Sequence, residues 1–141
     1  MRLSADARDL IGSGTEATLV TLNPDGTPQV TLVWTAFRPG SDGDELVTAH
    51  LAEHKKVRNV RQDARVALTI VSPDRGPMTP YLAISGTARV EDGGAPEMLA
   101  ELAKTMIGPG ADFPPPHSAP GYLLRIRIDK VGGVGPWASP S

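Results

Sequence analysis

Short runs of alternating apolar and polar residues recur along the chain and predict a protein built mainly of β-strands. At residues 122–128, three aliphatic side chains alternate with Arg125 and Arg127, the pattern of a strand with one buried face and one wet face. Residues 23–27 (Asn-Pro-Asp-Gly-Thr) carry the residue types of a tight turn and predict a hairpin. Five further strands are predicted at residues 15–22, 29–37, 45–49, 64–71 and 81–91.

Other segments have the wider apolar spacing of helices. Ser4 can cap a first helix that ends near Ile11, and residues 96–107 place apolar side chains at helical intervals. A third, strongly basic helix is predicted after residue 53, and Gly- and Pro-rich stretches at 108–120 and 132–141 are predicted to lack regular structure. Six strands with two or three peripheral helices predict one small β-barrel domain that spans residues 1–141.

Composition narrows the classes of function. The 141 residues include no cysteine, which excludes disulfides and thiolate chemistry and favours a reducing cytoplasm. The apolar runs are too short to span a bilayer, and the polar N-terminus does not resemble a secretory signal. The net charge of -2 argues against general nucleic-acid binding, which requires a broad basic surface.

Positive charge is concentrated in one place. Residues 53–66 hold five cationic and two acidic side chains, a local balance of +3 in a chain whose net charge is -2. Val57 and Val60, three residues apart, give the predicted helix one apolar ridge and leave Lys55 and Lys56 free to project outward. A short basic helix between strands can hold a phosphate, although a solvated helix face explains the charge equally well.

The sequence contains no nucleophile elbow, phosphate-binding P-loop or zinc signature. His50 and His54 are four residues apart, but no third ligand lies nearby, and we predict no metal site. Trp137 is unusual because it lies in a Gly- and Pro-rich tail, where an indole is expected to dock against the core, a partner subunit or a planar ligand.

The order of these parts resembles the split β-barrel flavin and deazaflavin oxidoreductases, the relatives of pyridoxamine 5'-phosphate oxidase. The likeness rests on the hairpin turn at 24–28, the strand that ends at Trp34, the run 56–68, the strand 83–90 and the closing 134–137. These segments are similar in particular to the branch that uses coenzyme F420. The resemblance implies an FMN-binding-like split barrel that forms a homodimer, with the cofactor at the subunit interface.

The resemblance also implies which residues bind the cofactor. Lys56 would hold the phosphate with help from Lys55 and Asn59, and Trp137 could come from the other subunit. The strand around residues 30–34 would lie along the tricyclic ring, and residues 48–51 would lie near the ring or the ribityl chain. The predicted cofactor-binding residues are Thr31, Val33, Trp34, Thr48, Ala49, His50, Lys55, Lys56, Asn59 and Trp137.

The predicted function is an F420-dependent oxidoreductase that transfers a hydride between the reduced deazaflavin and a small planar or conjugated acceptor. The deazaflavin performs the chemistry, so we assign no catalytic residue. Two alternatives remain open: an FMN-binding oxidoreductase of the same fold, and a protein that binds a cofactor or tetrapyrrole without turnover. The wall of the acceptor site is expected to come from the loops at 73–80 and 108–120.

Overall fold

The computed structural model describes residues 1–74 and 76–138, in which six strands close into a barrel. The order around the barrel is β1-β2-β3-β6-β5-β4, and each neighbouring pair is antiparallel. The strands are β1 (Thr15–Leu22), β2 (Pro28–Pro39), β3 (Asp44–His50), β4 (Arg65–Val71), β5 (Tyr81–Asp92) and β6 (Tyr122–Val134). The prediction of a mainly-β fold with a six-stranded barrel is confirmed.

Three helices pack outside the barrel: α1 (Ala5–Ile11), α2 (Lys55–Gln62) and α3 (Ala95–Met106). The Ser4 hydroxyl accepts a hydrogen bond from the backbone N–H of Ala7 and caps α1 as predicted. In α2, Val57 and Val60 are buried, so the predicted apolar ridge does face the protein. No helix within the described residues has the length and apolar character needed to cross a bilayer.

Two groups of buried side chains hold these layers together. The larger group fills the barrel and includes Leu19, Leu46 and Ile126, each with no exposed surface. The smaller group lies between the outside of the barrel and α3, where Leu99 and Leu102 meet residues of β2 and β3. Because burial of one such side chain contributes about 1.5–3 kcal/mol, the smaller group is enough to fix α3 beside β2 and β3.

The last strand is longer than predicted, and the prediction of an irregular tail from residue 132 was wrong for its first residues. Gly132 and Gly133 pair with Ala83 and Leu82 as part of β6. At Gly133, φ is 100°, and a Cβ atom would collide with the carbonyl oxygen of Tyr81. Glycine is needed there because β5 and β6 approach closely, which is a strand feature rather than a sign of disorder. Residues 139–141 of the predicted tail lie outside the described residues.

The polar loop predicted between the second and third strands is also shorter, because β2 extends to Pro39. Asp44, which precedes the predicted third strand at 45–49, begins β3 in the structure and is buried. Its carboxylate accepts hydrogen bonds from the backbone N–H of Leu3 at 2.7 Å and from the Arg2 guanidinium at 3.0 Å. These hydrogen bonds hold the N-terminal residues against the barrel. Because the partners of Asp44 lie about forty residues away in the sequence, its neighbours in the sequence do not reveal this structural role.

Candidate functional site

An open groove of about 320 Å³ lies where β2, β3 and α2 meet α3 and the segment that precedes β6. One part of its lining is polar and contains His50 and Lys56. Another part is apolar and contains Trp34, Leu99 and Phe113. This division suits a ligand that has both an anionic group and a planar apolar ring.

Lys56 lies in the first turn of α2 and is half-buried in the groove. Burial removes water from its ammonium group and lowers the pKa of Lys56 below its ordinary value. No carboxylate of the described residues forms a salt bridge with it. A partly desolvated, unpaired cation next to backbone N–H groups of a first helical turn is well placed to bind an anion.

His50, at the end of β3, is almost fully buried beside Lys56. Burial, followed by the nearby charges of Lys56 and His54, lowers the pKa of His50 to about 3. Its Nε2 atom is 2.8 Å from the hydroxyl oxygen of Thr48, which holds the ring in place. At neutral pH the imidazole is therefore uncharged and contributes a hydrogen-bonding group to the groove, not a second positive charge.

The apolar part of the groove is formed by an aromatic pair. The rings of Trp34 on β2 and Phe113 meet edge to face, with 5.8 Å between centroids and an angle of 70°. Phe113 comes from the irregular connection between α3 and β6. Of the two loops predicted to wall the acceptor site, 108–120 therefore contributes Phe113 to the groove, whereas no described residue of 73–80 lines it. The position of the acceptor stays a prediction.

Asn59 does not line the groove, although the resemblance implied that it would help Lys56 to hold the phosphate. It is buried, and its amide nitrogen donates to the Thr21 hydroxyl at 3.1 Å and to the Asn23 side-chain oxygen at 2.9 Å. Both amide hydrogens are thereby directed at the β1–β2 hairpin. In this arrangement, Asn59 fixes α2, and with it Lys56, to the barrel.

The structure brings together half of the predicted cofactor-binding residues. The predicted residues that line the groove are Val33, Trp34, Ala49, His50 and Lys56. The predicted residues outside its lining are Thr31, Thr48, Lys55, Asn59 and Trp137. The Thr48 hydroxyl is hydrogen-bonded to the His50 ring, and Lys55 is exposed on α2. The Thr31 hydroxyl oxygen is buried without a hydrogen-bond partner among the described residues.

Four lining residues were not among the named cofactor-binding residues: Glu16, Leu32, Leu99 and Phe113. Leu32 does lie in the strand 30–34 and Phe113 in the loop 108–120, both of which were predicted to contribute to the site. Glu16 pairs with Trp34 across the hairpin, a register that can be counted outward from the turn at 23–27. Leu32 follows from strand alternation with Trp34. Leu99 reaches the groove only through the packing of α3, for which the local sequence holds no signal.

The described residues contain no group of three or more His, Asp or Glu side chains placed to hold a metal ion. His50 and His54 do approach each other, with 6.4 Å between ring centroids. They remain a pair without a third such side chain among the described residues.

Comparisons with known proteins give the same fold. An F420 reductase structure superposes with a TM-score of 0.73 and 25% sequence identity, over 89% of this chain and 94% of that chain. A FAD-binding protein from Mesorhizobium loti gives a TM-score of 0.66 and 20% identity, over 93% and 94% of the two chains. HupZ from Group A Streptococcus gives 0.67 and 16%, over 99% of both chains. At 20% and 16% identity, the last two show the fold alone.

No curated protein matches the chain in sequence. The family model of pyridoxamine 5'-phosphate oxidase, however, matches residues 3–135, which include every strand, every helix and the whole lining of the groove. The chain therefore belongs to the pyridoxamine 5'-phosphate oxidase family.

Proposed function

We propose that this protein is an oxidoreductase that binds coenzyme F420 and transfers a hydride between the reduced deazaflavin and a small planar or conjugated acceptor. The observation that carries the proposal is Lys56, a half-buried cation with no salt-bridge partner in the described part of the chain, in a groove that also offers an aromatic surface. The likeness to an F420 reductase supports this choice of cofactor.

The charges around the groove fit a cofactor that carries a phosphate and an acidic tail. Arg61 lies 3.7 Å from Asp92 and 3.9 Å from Glu53 and stacks over the ring of Tyr122, so its charge is already shared within the protein. Lys55 and Arg58 are exposed on the same helix and have no carboxylate partner among the described residues. They are free to attract a glutamyl tail, which FMN lacks.

In such a reaction the protein would bind the cofactor and orient its ring. A bound deazaflavin supplies the hydride. Lys56 would hold the phosphate, Val33 and Trp34 would contact the ring, and neutral His50 would offer one hydrogen bond without attracting a second anion. Because these side chains are fixed by β2, β3 and α2, the orientation of the ring would be set before the acceptor arrives.

We also propose that the functional unit is a homodimer. The outer faces of β2 and β4 carry Val30, Leu32 and Val71, which are 60%, 64% and 48% exposed. Leu32 also lines the groove, so this apolar surface is continuous with the site. A second copy that covered the surface would close the open side of the groove and give two equivalent sites.

Binding of the two cofactors tests the proposal directly. Purified protein should be colourless, and F420 added to it should bind more tightly than FMN, as followed by equilibrium titration. A yellow protein that retains FMN and does not bind F420 would favour the FMN-dependent alternative. Firm binding of F420 with no reduction of any planar acceptor would favour the non-catalytic alternative.

A further inference from the structure

A second cavity, of about 550 Å³, lies between α3 and the Pro-rich segment that precedes β6. Its walls include Pro114, Pro115 and Pro116 on one side and residues of α3 on the other. Among the described residues, Phe113 alone lines both this cavity and the groove that holds Lys56. The two spaces therefore meet at Phe113.

The volumes show why this arrangement matters. At about 320 Å³, the groove is near the lower end of the roughly 300–1,000 Å³ that small-molecule sites occupy. A cofactor with a tricyclic ring fills most of such a space. With the open side of the groove covered by the proposed second copy, an acceptor beside the ring would have room to extend only if it is small or if it reaches past Phe113 into the second cavity.

From this we infer that Phe113 limits the size of the acceptor, which is a planar molecule of one or two rings. The inference rests on the proposed function and assigns a specificity-determining residue to it. Phe113 is held by its edge contact with Trp34 and comes from an irregular segment, so its side chain can be changed without breaking a strand.

The lining of the second cavity defines the charge of a larger acceptor that could enter it once the Phe113 side chain is shortened. It contains the carboxylates of Glu97 and Asp112 and the imidazole of His117, but no lysine or arginine. An anionic acceptor extending into this cavity would approach two carboxylates without a compensating cation. Apolar proline and phenylalanine side chains suit an uncharged ring instead.

The test uses quinones of increasing size with the F420-loaded protein: 1,4-benzoquinone, 1,4-naphthoquinone and 9,10-phenanthrenequinone. In each reaction, a hydride from the reduced cofactor and a proton from water convert the quinone to its hydroquinone, and the cofactor is oxidised. The wild-type protein should reduce the first two and discriminate against the third. Phe113→Ala should raise kcat/KM for phenanthrenequinone, relative to benzoquinone, by about tenfold or more, because the side chain that excludes the third ring is gone.

Two further substitutions test how the size limit depends on the size of the side chain at position 113. Phe113→Trp should narrow the site and lower kcat/KM for naphthoquinone, whereas Phe113→Leu should lie between the wild type and Phe113→Ala. Ile107→Ala is the matched control, because Ile107 is 61% exposed at the end of α3 and lines neither cavity. It should leave the size limit unchanged.

Calorimetric titration gives a second readout that does not depend on turnover. Phenanthrenequinone should bind Phe113→Ala loaded with oxidised F420 at least tenfold more tightly than it binds the loaded wild type. If the wild type accepts all three quinones equally, or if Phe113→Ala binds F420 normally and keeps the wild-type size limit, the inference is wrong. Failure of the wild type to bind F420 at all would instead refute the proposed function.

Discussion

The indole nitrogen of Trp137 donates a hydrogen bond to the backbone carbonyl oxygen of Tyr81, at 2.8 Å. Tyr81 is the first residue of β5, and the Trp137 ring packs against the side chains that fill the barrel of its own chain. Residues 135–138 therefore fold back onto the barrel. Its predicted position at a dimer interface and near the cofactor stays a prediction, because Trp137 does not line the groove within one subunit.

Gly135→Ala should displace Trp137 from this position. A Cβ atom on Gly135 would lie 2.5 Å from a carbon of the Trp137 ring, and φ of Gly135 is 144°, which a side chain disfavours. We expect a cost of about 1–3 kcal/mol and a red shift of Trp137 emission, measured with Trp34→Phe so that Trp137 is the sole tryptophan. Gly132→Ala is the matched control, because a Cβ atom there meets nothing within 4 Å. Equal spectra for the two alanine variants would contradict this account.

Lys56→Ala should weaken F420 binding by about tenfold or more, because a charge-assisted contact with a phosphate contributes roughly 1.5–3 kcal/mol. Lys55→Ala should have a smaller effect that diminishes at high salt, since Lys55 is exposed. Lys104→Ala, an exposed lysine on α3, is the control for a general change in charge. Equilibrium titration measures the dissociation constant of F420 for all three variants. If a folded Lys56→Ala variant binds F420 as tightly as the wild type, Lys56 does not bind the phosphate.

Much of the barrel could be predicted because the turn of a hairpin determines which residues of its two strands pair. Strand β1 has the predicted bounds, and the pairing of Leu22 with Pro28 follows from the turn at 23–27. Strand β6 was predicted too short because two glycines indicate a loop by local propensity, whereas here they permit close contact with β5. That requirement belongs to the tertiary structure and is invisible to the local sequence.

The candidate site was predictable only where a functional side chain belongs to a strand or helix of clear pattern. Trp34 and Lys56 are such cases, since a strand rich in β-forming residues and a basic helix locate them. Asn59 was assigned to the phosphate by resemblance, but its amide group points at Thr21 and Asn23 because the hairpin passes beneath α2. Phe113 reaches the groove from an irregular segment whose path depends on the packing of α3.

Val30→Lys should dissociate the proposed dimer without unfolding the barrel. Val30 is 60% exposed on the outside of β2, so a lysine can extend into water in the free subunit. At an apolar subunit interface the same ammonium group would lose its water, and we expect the dimer dissociation constant to rise at least tenfold. Sedimentation at micromolar concentration measures the change. Ile107→Lys, at an equally exposed apolar position on α3, should leave the association state unaltered, and a wild-type protein that sediments as a monomer would refute the dimer itself.

His50 should make the folded state less stable as the pH falls below neutral. The pKa of His50 is lowered to about 3 in the folded protein, against an ordinary value of 6.5, mainly because the ring is buried. Between these two values the unfolded chain binds a proton that the folded chain does not. The free energy of unfolding therefore rises with pH in this window, and the contribution of His50 should change by about 2 kcal/mol between pH 5 and pH 7.

Denaturant titrations at pH 5 and pH 7 measure this difference. In His50→Gln, which keeps a polar partner for Thr48 but does not titrate, the pH-dependent part of the stability should shrink by about 2 kcal/mol. His117→Asn is the control, because His117 is exposed and asparagine accepts its φ of 63°. If His50→Gln and wild type lose equal stability between pH 7 and pH 5, His50 binds its proton as readily in the folded chain as in the unfolded one. The groove would then hold a second cation beside Lys56 at mildly acidic pH, and binding of an anionic cofactor should strengthen there.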